Sequence, residues 1–392
     1  MVTINEDNMK IHLQLFFCLA ASQLLMGSLF AQLAEKDLKP LLSPTIYAVP
    51  GVRMNVYFRN AVLCERPYDY HFKVTCPVQG TTVQGEGRWT LFLDKNHTGR
   101  FPFKLDVCAP DGKVLGETET TLVISPKDAG KGRKIKLLLI GDSLTHISSY
   151  PNRLAALLSR PGNPEWKMMG THKPKTTWYM AREGVAYEGY GGWSWRSFVT
   201  RYKEPLDRLG PYKNRSSPFL YKNEKTGKIE LSVGRYLMDN YQGEKPDFII
   251  IMLGINGCVA GATEKNAKKN FQAEFGFADI LLKELRSACP NAIIGLCVTI
   301  PPNTDELCMN GKPWDRYLWL RAQHQFIKEM ITKFKGRERE NIYLIPTDLN
   351  IDTYNGFPDF NKCHPNRYGY HQIAATVYSW LKAMLNKQMK DP

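Results

Sequence analysis

The pattern of apolar and polar residues changes near residue 130, and the two parts of the chain predict different kinds of structure. In the second part, several apolar runs have the length of strands but lack the alternation of a half-exposed sheet. Such runs are typical of a parallel sheet that helices cover on both faces. They span residues 135–140, 247–253, 293–300 and 342–346, and Trp166–Met169 is a candidate fifth strand.

Longer segments with apolar residues at helical spacing lie between and after these strands. They predict amphipathic helices over residues 150–160, 264–288, 314–335 and 368–387. Strands that alternate with helices in this way predict an α/β fold, here a flavodoxin-like three-layer αβα domain over residues 133–387. In such folds, reactive groups lie just beyond the carboxyl ends of the strands.

The chain before residue 130 instead has short β-branched and aromatic runs separated by turn residues. They predict a small all-β sandwich domain over residues 45–127, followed by a Lys- and Gly-rich connection at 126–133. This domain is a spacer, a packing module or a carbohydrate-binding module, and the fold alone does not decide among these. The predicted strands are 45–49, 56–58, 71–75, 89–93, 103–107 and 120–124.

Residues 1–31 predict a signal peptide, because Lys10 precedes a mostly apolar segment from Ile11 to Ala31. No second apolar stretch near 20 residues follows, so we expect no integral membrane segment after cleavage. The expected location is secreted or periplasmic, including association with the cell surface. A chain of 392 residues with 43% hydrophobic and 23% charged residues has room for two globular domains.

The formal net charge of +14 is spread along the chain, without a basic block or a nucleic-acid-binding motif. We therefore expect no nucleic-acid partner; the charge is either a solvated surface or an attraction to an acidic glycan or an anionic cell surface. The cysteines form no CxxC pair and have no zinc-like spacing to histidines, so we expect no metal and no cofactor. The sequence does not decide whether Cys258 and Cys363 form a disulfide. Nothing in it indicates an oligomeric state.

Four short blocks carry groups suited to acyl transfer. Ser143 follows the first buried strand, and Gly192 lies in a block with three glycines within four positions. Asn256 follows the second strand, and His364 precedes Pro365 at the start of the last helix. Acyl transfer needs a nucleophilic oxygen, a base with a near-neutral pKa and fixed donors for the oxyanion, and these residues supply them. Taken alone, Gly-Asp-Ser is also ordinary turn chemistry, with Ser143 as a helix N-cap.

The order Ser143, Gly192, Asn256, His364 resembles the four blocks of the SGNH (GDSL-type) esterase superfamily, over about residues 133 to 387. The Glu-Gly-x-Gly-Gly-Trp block, the His-Pro-Asn-x-x-Gly-Tyr tail and the β domain in front are similar to secreted SGNH carbohydrate esterases of bacteria. The resemblance implies a carboxylic ester hydrolase with a Ser143 nucleophile and a His364 base. It also implies that Gly192 and Asn256 are oxyanion donors.

Two positions depart from the family pattern. Asn361 stands where an aspartate usually precedes the histidine by three residues, and Gly257 replaces the acid of Gly-x-Asn-Asp. An aspartate fixes the tautomer of the base and stabilises the imidazolium, whereas an amide can do only the first. The orienting group is therefore Asn361, Asp359 or a main-chain carbonyl, with Asp352 a more distant candidate.

Aromatic residues crowd the glycine block, and Tyr190, Trp193 and Trp195 are candidates for contact with a pyranose ring. The alternative for either tryptophan is packing of the loop on the core. An insertion at 203–243 resembles the lid-side insertion of the bacterial glycan esterases, so we expect it to border the substrate. The expected reaction removes acetyl or another small acyl group from a polysaccharide or oligosaccharide. The alternatives are a lipase- or thioesterase-type hydrolase and a catalytically weakened glycan-binding relative.

Overall fold

The computed structural model describes residues 38–64, 66–78, 81–93, 97–173, 182–204, 214–259, 264–305, 308 and 313–390. The predicted signal peptide, residues 1–31, lies outside the described residues. Among the helices that are described, none is both long enough and apolar enough to cross a membrane.

Two sheets occupy the described N-terminal part. Strands β1, β7, β6 and β3 form one sheet in that order, and β2, β5 and β4 form the other. Buried residues of both sheets belong to one hydrophobic cluster. The strands lie within the segment predicted to be β, but its existence as a separate sandwich domain stays a prediction. The elements are β1 (Thr45–Ala48), β2 (Met54–Tyr57), α1 (Phe58–Ala61), a 3-10 turn (Pro67–Asp69), β3 (His71–Thr75), β4 (Thr81–Gln84), β5 (Arg88–Phe92), β6 (Gly99–Cys108) and β7 (Val114–Ile124).

Strands and helices alternate in the part that follows, as the sequence predicts, and Glu165–Met169 is indeed a further strand. The elements are β8 (Lys134–Gly141), α2 (Ser143–His146), α3 (Ser149–Leu158), β9 (Glu165–Met169), β10 (Glu188–Gly189), α4 (Trp195–Thr200), β11 (Leu220–Lys222), β12 (Ile229–Leu231), α5 (Val233–Tyr241), β13 (Phe248–Met252), a π-helix (Ile255–Val259), α6 (Glu264–Ala288), β14 (Ile293–Cys297), α7 (Pro313–Phe334), a 3-10 turn (Arg337–Glu340), β15 (Ile342–Ile345) and α8 (Arg367–Lys390).

The main sheet has the strand order of a flavodoxin-like fold. Strands β9 and β10 pair with β8, followed by β13, β14 and β15, and every pairing is parallel. Successive residues of β8 belong to different hydrophobic clusters: Leu137 packs on the side of α3 and α8. Leu138 packs on the side of α6 and α7. Because both faces are covered, the strand is continuously apolar from Leu137 to Ile140, and the predicted three-layer α/β architecture is confirmed.

The switch point of this sheet lies between its two central strands. The chain leaves β8 for the β9 side and leaves β13 for the β14 side, so a crevice opens where the connections diverge. Gly141 at the end of β8 is opposite Met252 at the end of β13. The loops that begin with Ser143 and Asn256 therefore start at the same edge of the sheet.

The N-terminal part is attached to this domain by buried hydrogen bonds. The Asn60 side chain donates to the carbonyl oxygens of Asp348 and Ile351, both at 2.8 Å. Asn55 donates backbone and side-chain N–H groups to Asn350 Oδ1 at 2.8 and 2.9 Å. Leu349 from the second part lies in the hydrophobic cluster of the first. The two parts thus share a core at the segment that follows β15.

We expect Asn60→Ala to lower the free energy of unfolding by about 2–4 kcal/mol, because two buried carbonyl groups lose their donor. Urea denaturation measures this change. Gln325→Ala, on an exposed surface of α7, is the control and is expected to change stability by less than about 0.5 kcal/mol. An unchanged midpoint for Asn60→Ala would mean that the contact between the two parts contributes no stability.

Candidate active site

Ser143 is held by a tight turn at the end of β8. Asp142 is the N-cap of α2 and accepts a hydrogen bond from the Leu144 N–H at 2.9 Å, so Ser143 is the first helical residue and not the cap. A Cβ on Gly141 would lie 1.9 Å from Thr145 Oγ1, so only glycine allows the helix to begin so close to the strand. Burial raises the pKa of Asp142 to about 7. The turn leaves Ser143 half-buried at the sheet edge.

His364 lies within hydrogen-bond distance of this serine. Its Nε2 is 2.8 Å from Ser143 Oγ. On the other side of the ring, Nδ1 is 3.2 Å from Asn361 Oδ1. The structure therefore brings together a serine, a histidine and an asparagine that are more than 200 positions apart at the extremes.

Backbone donors determine which atom of Asn361 faces the imidazole. The N–H groups of Cys363 and His364 donate to Asn361 Oδ1 at 3.2 and 2.9 Å, so this atom is the carbonyl oxygen of the amide. An amide oxygen only accepts, so this contact favours the tautomer with the proton on Nδ1; the Cys363 thiol sulfur also lies 3.4 Å from Nδ1. The lone pair of the ring is then on Nε2, where it can accept the Ser143 hydroxyl proton.

The electrostatic environment of His364 is largely neutral. Burial lowers the pKa of His364 below its ordinary value, because the charged imidazolium is poorly solvated. Asp359 is exposed, and in the described part of the chain it makes no hydrogen bond to His364. Cys363 has a free thiol, so it is not in the disulfide with Cys258 that the sequence left open. Of the orienting groups that the sequence allowed, Asn361 is the one in contact with the ring.

Asn303 braces the loop that holds the histidine, and the sequence reasoning missed it. Its side chain donates to the carbonyl oxygens of Pro358 and Asn361 at 3.1 and 3.2 Å. Its backbone N–H donates to the Lys362 carbonyl at 2.9 Å. Asn303 is fully buried. The available signal was an asparagine shortly after a buried strand, the same pattern that identified Asn256.

The glycine block and Asn256 are joined by a direct hydrogen bond. Asn256 Nδ2 donates to the Trp193 carbonyl at 3.0 Å. Gly192, the residue before Trp193, is exposed and has a φ of +78°, a conformation that favours glycine. The block is anchored beside the serine strand, because the Tyr190 N–H donates to the Gly141 carbonyl at 3.0 Å.

The three aromatic side chains predicted to bind substrate are instead in the core. Tyr190, Trp193 and Trp195 are 2%, 0% and 1% exposed. The rings of Tyr190 and Trp193 pack against each other with centroids 4.4 Å apart. Their faces are thus not available to a sugar, and the packing alternative describes both tryptophans. The described part of the insertion is also core-forming, since Phe219 and Tyr236 are fully buried.

An aromatic side chain that the sequence reasoning did not select is exposed on the histidine loop. Phe360, directly before Asn361, is 79% exposed.

Within the described residues, no three His, Cys, Asp or Glu side chains have the geometry to hold a metal ion.

These features define an α/β enzyme domain with a hydrogen-bonded serine and histidine at the carboxyl edge of a parallel sheet. The model of the GDSL-like lipase/acylhydrolase family matches residues 137–377, which is more than half of the chain. The chain belongs to this family, and it is a carboxylic ester hydrolase. No curated protein matches it significantly.

Several solved structures are similar to this chain at low identity. A family 3 carbohydrate esterase from Clostridium thermocellum is 15% identical, covers 65% of this chain and 99% of its own, and has a TM-score of 0.40. A family 3 carbohydrate esterase from Talaromyces cellulolyticus is 17% identical, covers 64% of this chain and 99% of its own, and has a TM-score of 0.41. The acetylxylan esterase Axe2 from Geobacillus stearothermophilus is 15% identical, covers 64% of this chain and 94% of its own, and has a TM-score of 0.38. Likenesses this low assign no substrate to this chain.

We expect the acid limb of the kcat/KM profile to lie below pH 6.5, the ordinary pKa of histidine, because burial keeps His364 neutral to lower pH. Asn361→Asp places a negative charge beside Nδ1, which raises the pKa of His364 and moves this limb to higher pH. At alkaline pH the same variant should raise kcat/KM several-fold, since a carboxylate stabilises the developing imidazolium. The measurement is the pH dependence of 4-nitrophenyl acetate hydrolysis.

Asp359→Asn is the matched control for this substitution, because it removes a carboxylate from the same loop without touching the ring. Its rate is expected to stay within about twofold of the unaltered protein. A large loss in Asp359→Asn, with no shift in Asn361→Asp, would show that Asp359 reaches His364 in the working enzyme.

Proposed function

We propose that this protein is a serine esterase that removes acetyl or another small acyl group from a polysaccharide or oligosaccharide. The observation that carries the proposal is the 2.8 Å contact between Ser143 Oγ and His364 Nε2. The contact is meaningful because Asn361 holds the proton on Nδ1 and leaves Nε2 as the base.

In the proposed reaction, His364 takes the hydroxyl proton while Ser143 Oγ attacks the ester carbonyl. The backbone N–H groups of Ser143 and Gly192 and the side chain of Asn256 stabilise the oxyanion of the tetrahedral intermediate. Collapse breaks the bond to the sugar oxygen, which leaves as an alcohol with the proton from His364. Water, deprotonated by His364, then attacks the acyl-serine; the acyl–oxygen bond breaks, Ser143 Oγ takes the proton from His364, and the carboxylic acid leaves.

Asn256 supports this assignment through its two N–H groups. One donates to the Trp193 carbonyl and fixes the amide plane. The second has no partner among the described residues, so it is available to an oxyanion. Asn361 orients the base but carries no charge, and we therefore propose an enzyme that works with weaker stabilisation of the imidazolium than a family member with aspartate at this position.

The proposed glycan substrate rests on the sequence resemblance and on the exposed face of Phe360. Aromatic side chains offer a flat apolar surface of the kind that packs against a sugar ring. The same surface would also suit an acyl chain, so chain-length preference decides between a glycan esterase and a lipase. We also propose that residues 1–31 are a signal peptide that directs export of the protein. Residues 45–127 are proposed to form an accessory β-sandwich domain.

Ser143→Ala is expected to reduce acetate release by at least about 10³-fold with little change in thermal midpoint, because the nucleophile is lost and the fold is not. Acetate release is measured on a panel of acetylated plant and host glycans, and nitrophenyl esters from acetate to laurate give the chain-length preference. Ser287→Ala, on an exposed part of α6, serves as the control. Retention of more than a tenth of the activity in Ser143→Ala would move the nucleophile elsewhere.

Phe360→Ala is expected to raise KM for an acetylated oligosaccharide about tenfold. The reason is that full burial of a Phe side chain is worth about 1.5–3 kcal/mol, and a bound sugar ring would cover part of the exposed ring of Phe360. The rate on 4-nitrophenyl acetate should change by less than about twofold, since that substrate has no sugar ring. Tyr68→Ala, 84% exposed on the N-terminal part, is the matched control. Equal losses on both substrates would show that Phe360 supports the loop and does not bind the glycan.

A further inference from the structure

Glu274, on helix α6, is buried against both loops that carry the proposed oxyanion donors. Its side chain is 7% exposed. Oε1 accepts a hydrogen bond from Ser194 Oγ at 3.1 Å, and Oε2 accepts one from the Arg196 backbone N–H at 3.4 Å. Ser194 and Arg196 are at the start of α4, directly after Gly192 and Trp193. Glu274 thus fixes the end of the glycine block.

The same carboxyl group fills the space beside Gly257. A Cβ on Gly257 would lie 2.3 Å from Glu274 Cδ and 2.6 Å from its Oε1. Gly257 directly follows Asn256 and does not have a positive φ, so the backbone itself would accept a side chain there. A side chain at position 257 would require the carboxyl group of Glu274 to move away from its hydrogen bonds with Ser194 and Arg196.

This overlap relates to the departure from the Gly-x-Asn-Asp pattern. An aspartate at position 257 would begin with a Cβ at this point and place its carboxyl group one bond further on. In this chain, a carboxyl group reaches the same region from a helix 17 positions later in sequence. The absence of a side chain at Gly257 therefore leaves the space that the carboxyl group of Glu274 occupies.

We infer that Glu274 is a positioning residue that replaces the missing acid of the Asn256 block and holds the two oxyanion loops together. Its hydrogen bonds fix the start of α4, and its side chain packs against Gly257. The hydrogen bond from Asn256 Nδ2 to the Trp193 carbonyl is a second link between the same two loops. This inference rests on the proposed function, because the loops matter for the rate only if they bind an oxyanion.

The test measures kcat, KM and thermal midpoint for four variants on 4-nitrophenyl acetate. Glu274→Ala is expected to lower kcat about 10²-fold with KM within about threefold, because displaced donors act on the transition state. Glu274→Gln keeps one acceptor and should lose about tenfold. Gly257→Ala should lower kcat in the unaltered protein through the clash with Glu274. In the Glu274→Ala background, Gly257→Asp should recover at least about fivefold of the lost kcat.

Glu284→Ala is the matched control, because Glu284 lies on the same helix and accepts the Val233 N–H at 2.9 Å, at the start of α5. It is expected to lower the thermal midpoint and leave kcat within about twofold. Equal loss of kcat in Glu284→Ala, or an unchanged kcat in Glu274→Ala, would overturn the inference while Ser143→Ala remains inactive. If the unaltered protein and Ser143→Ala hydrolyse esters equally, the proposed function itself fails and the positioning role fails with it.

Discussion

The parallel pairing of β8 with β13 is the constraint on which the rest of the site depends. It sets Gly141 opposite Met252, so the two following loops leave the sheet side by side. Close approach at this point requires glycine: a Cβ on Gly141 would meet Thr145, and one on Gly254 would lie 2.5 Å from Thr299 Oγ1. Because the strands are buried on both faces, their register is fixed by packing, and the positions of Ser143 and Asn256 follow from it.

Side-chain amides, together with the acidic side chains of Asp142 and Glu274, hold the loops that surround the serine. Asn361 and Asn303 fix the histidine loop, and Asn256 connects to the glycine block. An amide beside the base orients it without placing an unpaired charge in a buried site, which would be costly. Burial lowers the pKa of His364, and the uncharged amide beside it adds little stabilisation once the ring is protonated.

The N-terminal part contacts the chain just before the histidine loop. Asn60 binds the Ile351 carbonyl, and the Tyr57 hydroxyl donates to Asp352 Oδ2 at 3.3 Å. Asp352 in turn accepts from the backbone N–H groups of Tyr354 and Asn355 at 3.1 and 3.0 Å, at the start of the segment that leads to His364. The Arg59 guanidinium also reaches Thr304, next to Asn303, at 3.2 Å. These contacts connect the β-rich part to the geometry of the base.

The sequence by itself determined the α/β architecture and the serine, glycine, asparagine and histidine blocks. A strand buried on both faces has a continuous apolar run, and the residues after it must lie at the sheet edge. The sequence did not determine which group orients His364, because Asn361 and Asp359 lie three and five residues before it and only the loop conformation turns one of them towards Nδ1. It also did not separate Tyr190, Trp193 and Trp195 from Phe360, because an aromatic residue beside a site either packs beneath it or faces solvent. The sequence also did not reveal Glu274, because its contact with Gly257 joins residues from separate elements that only the tertiary structure brings together.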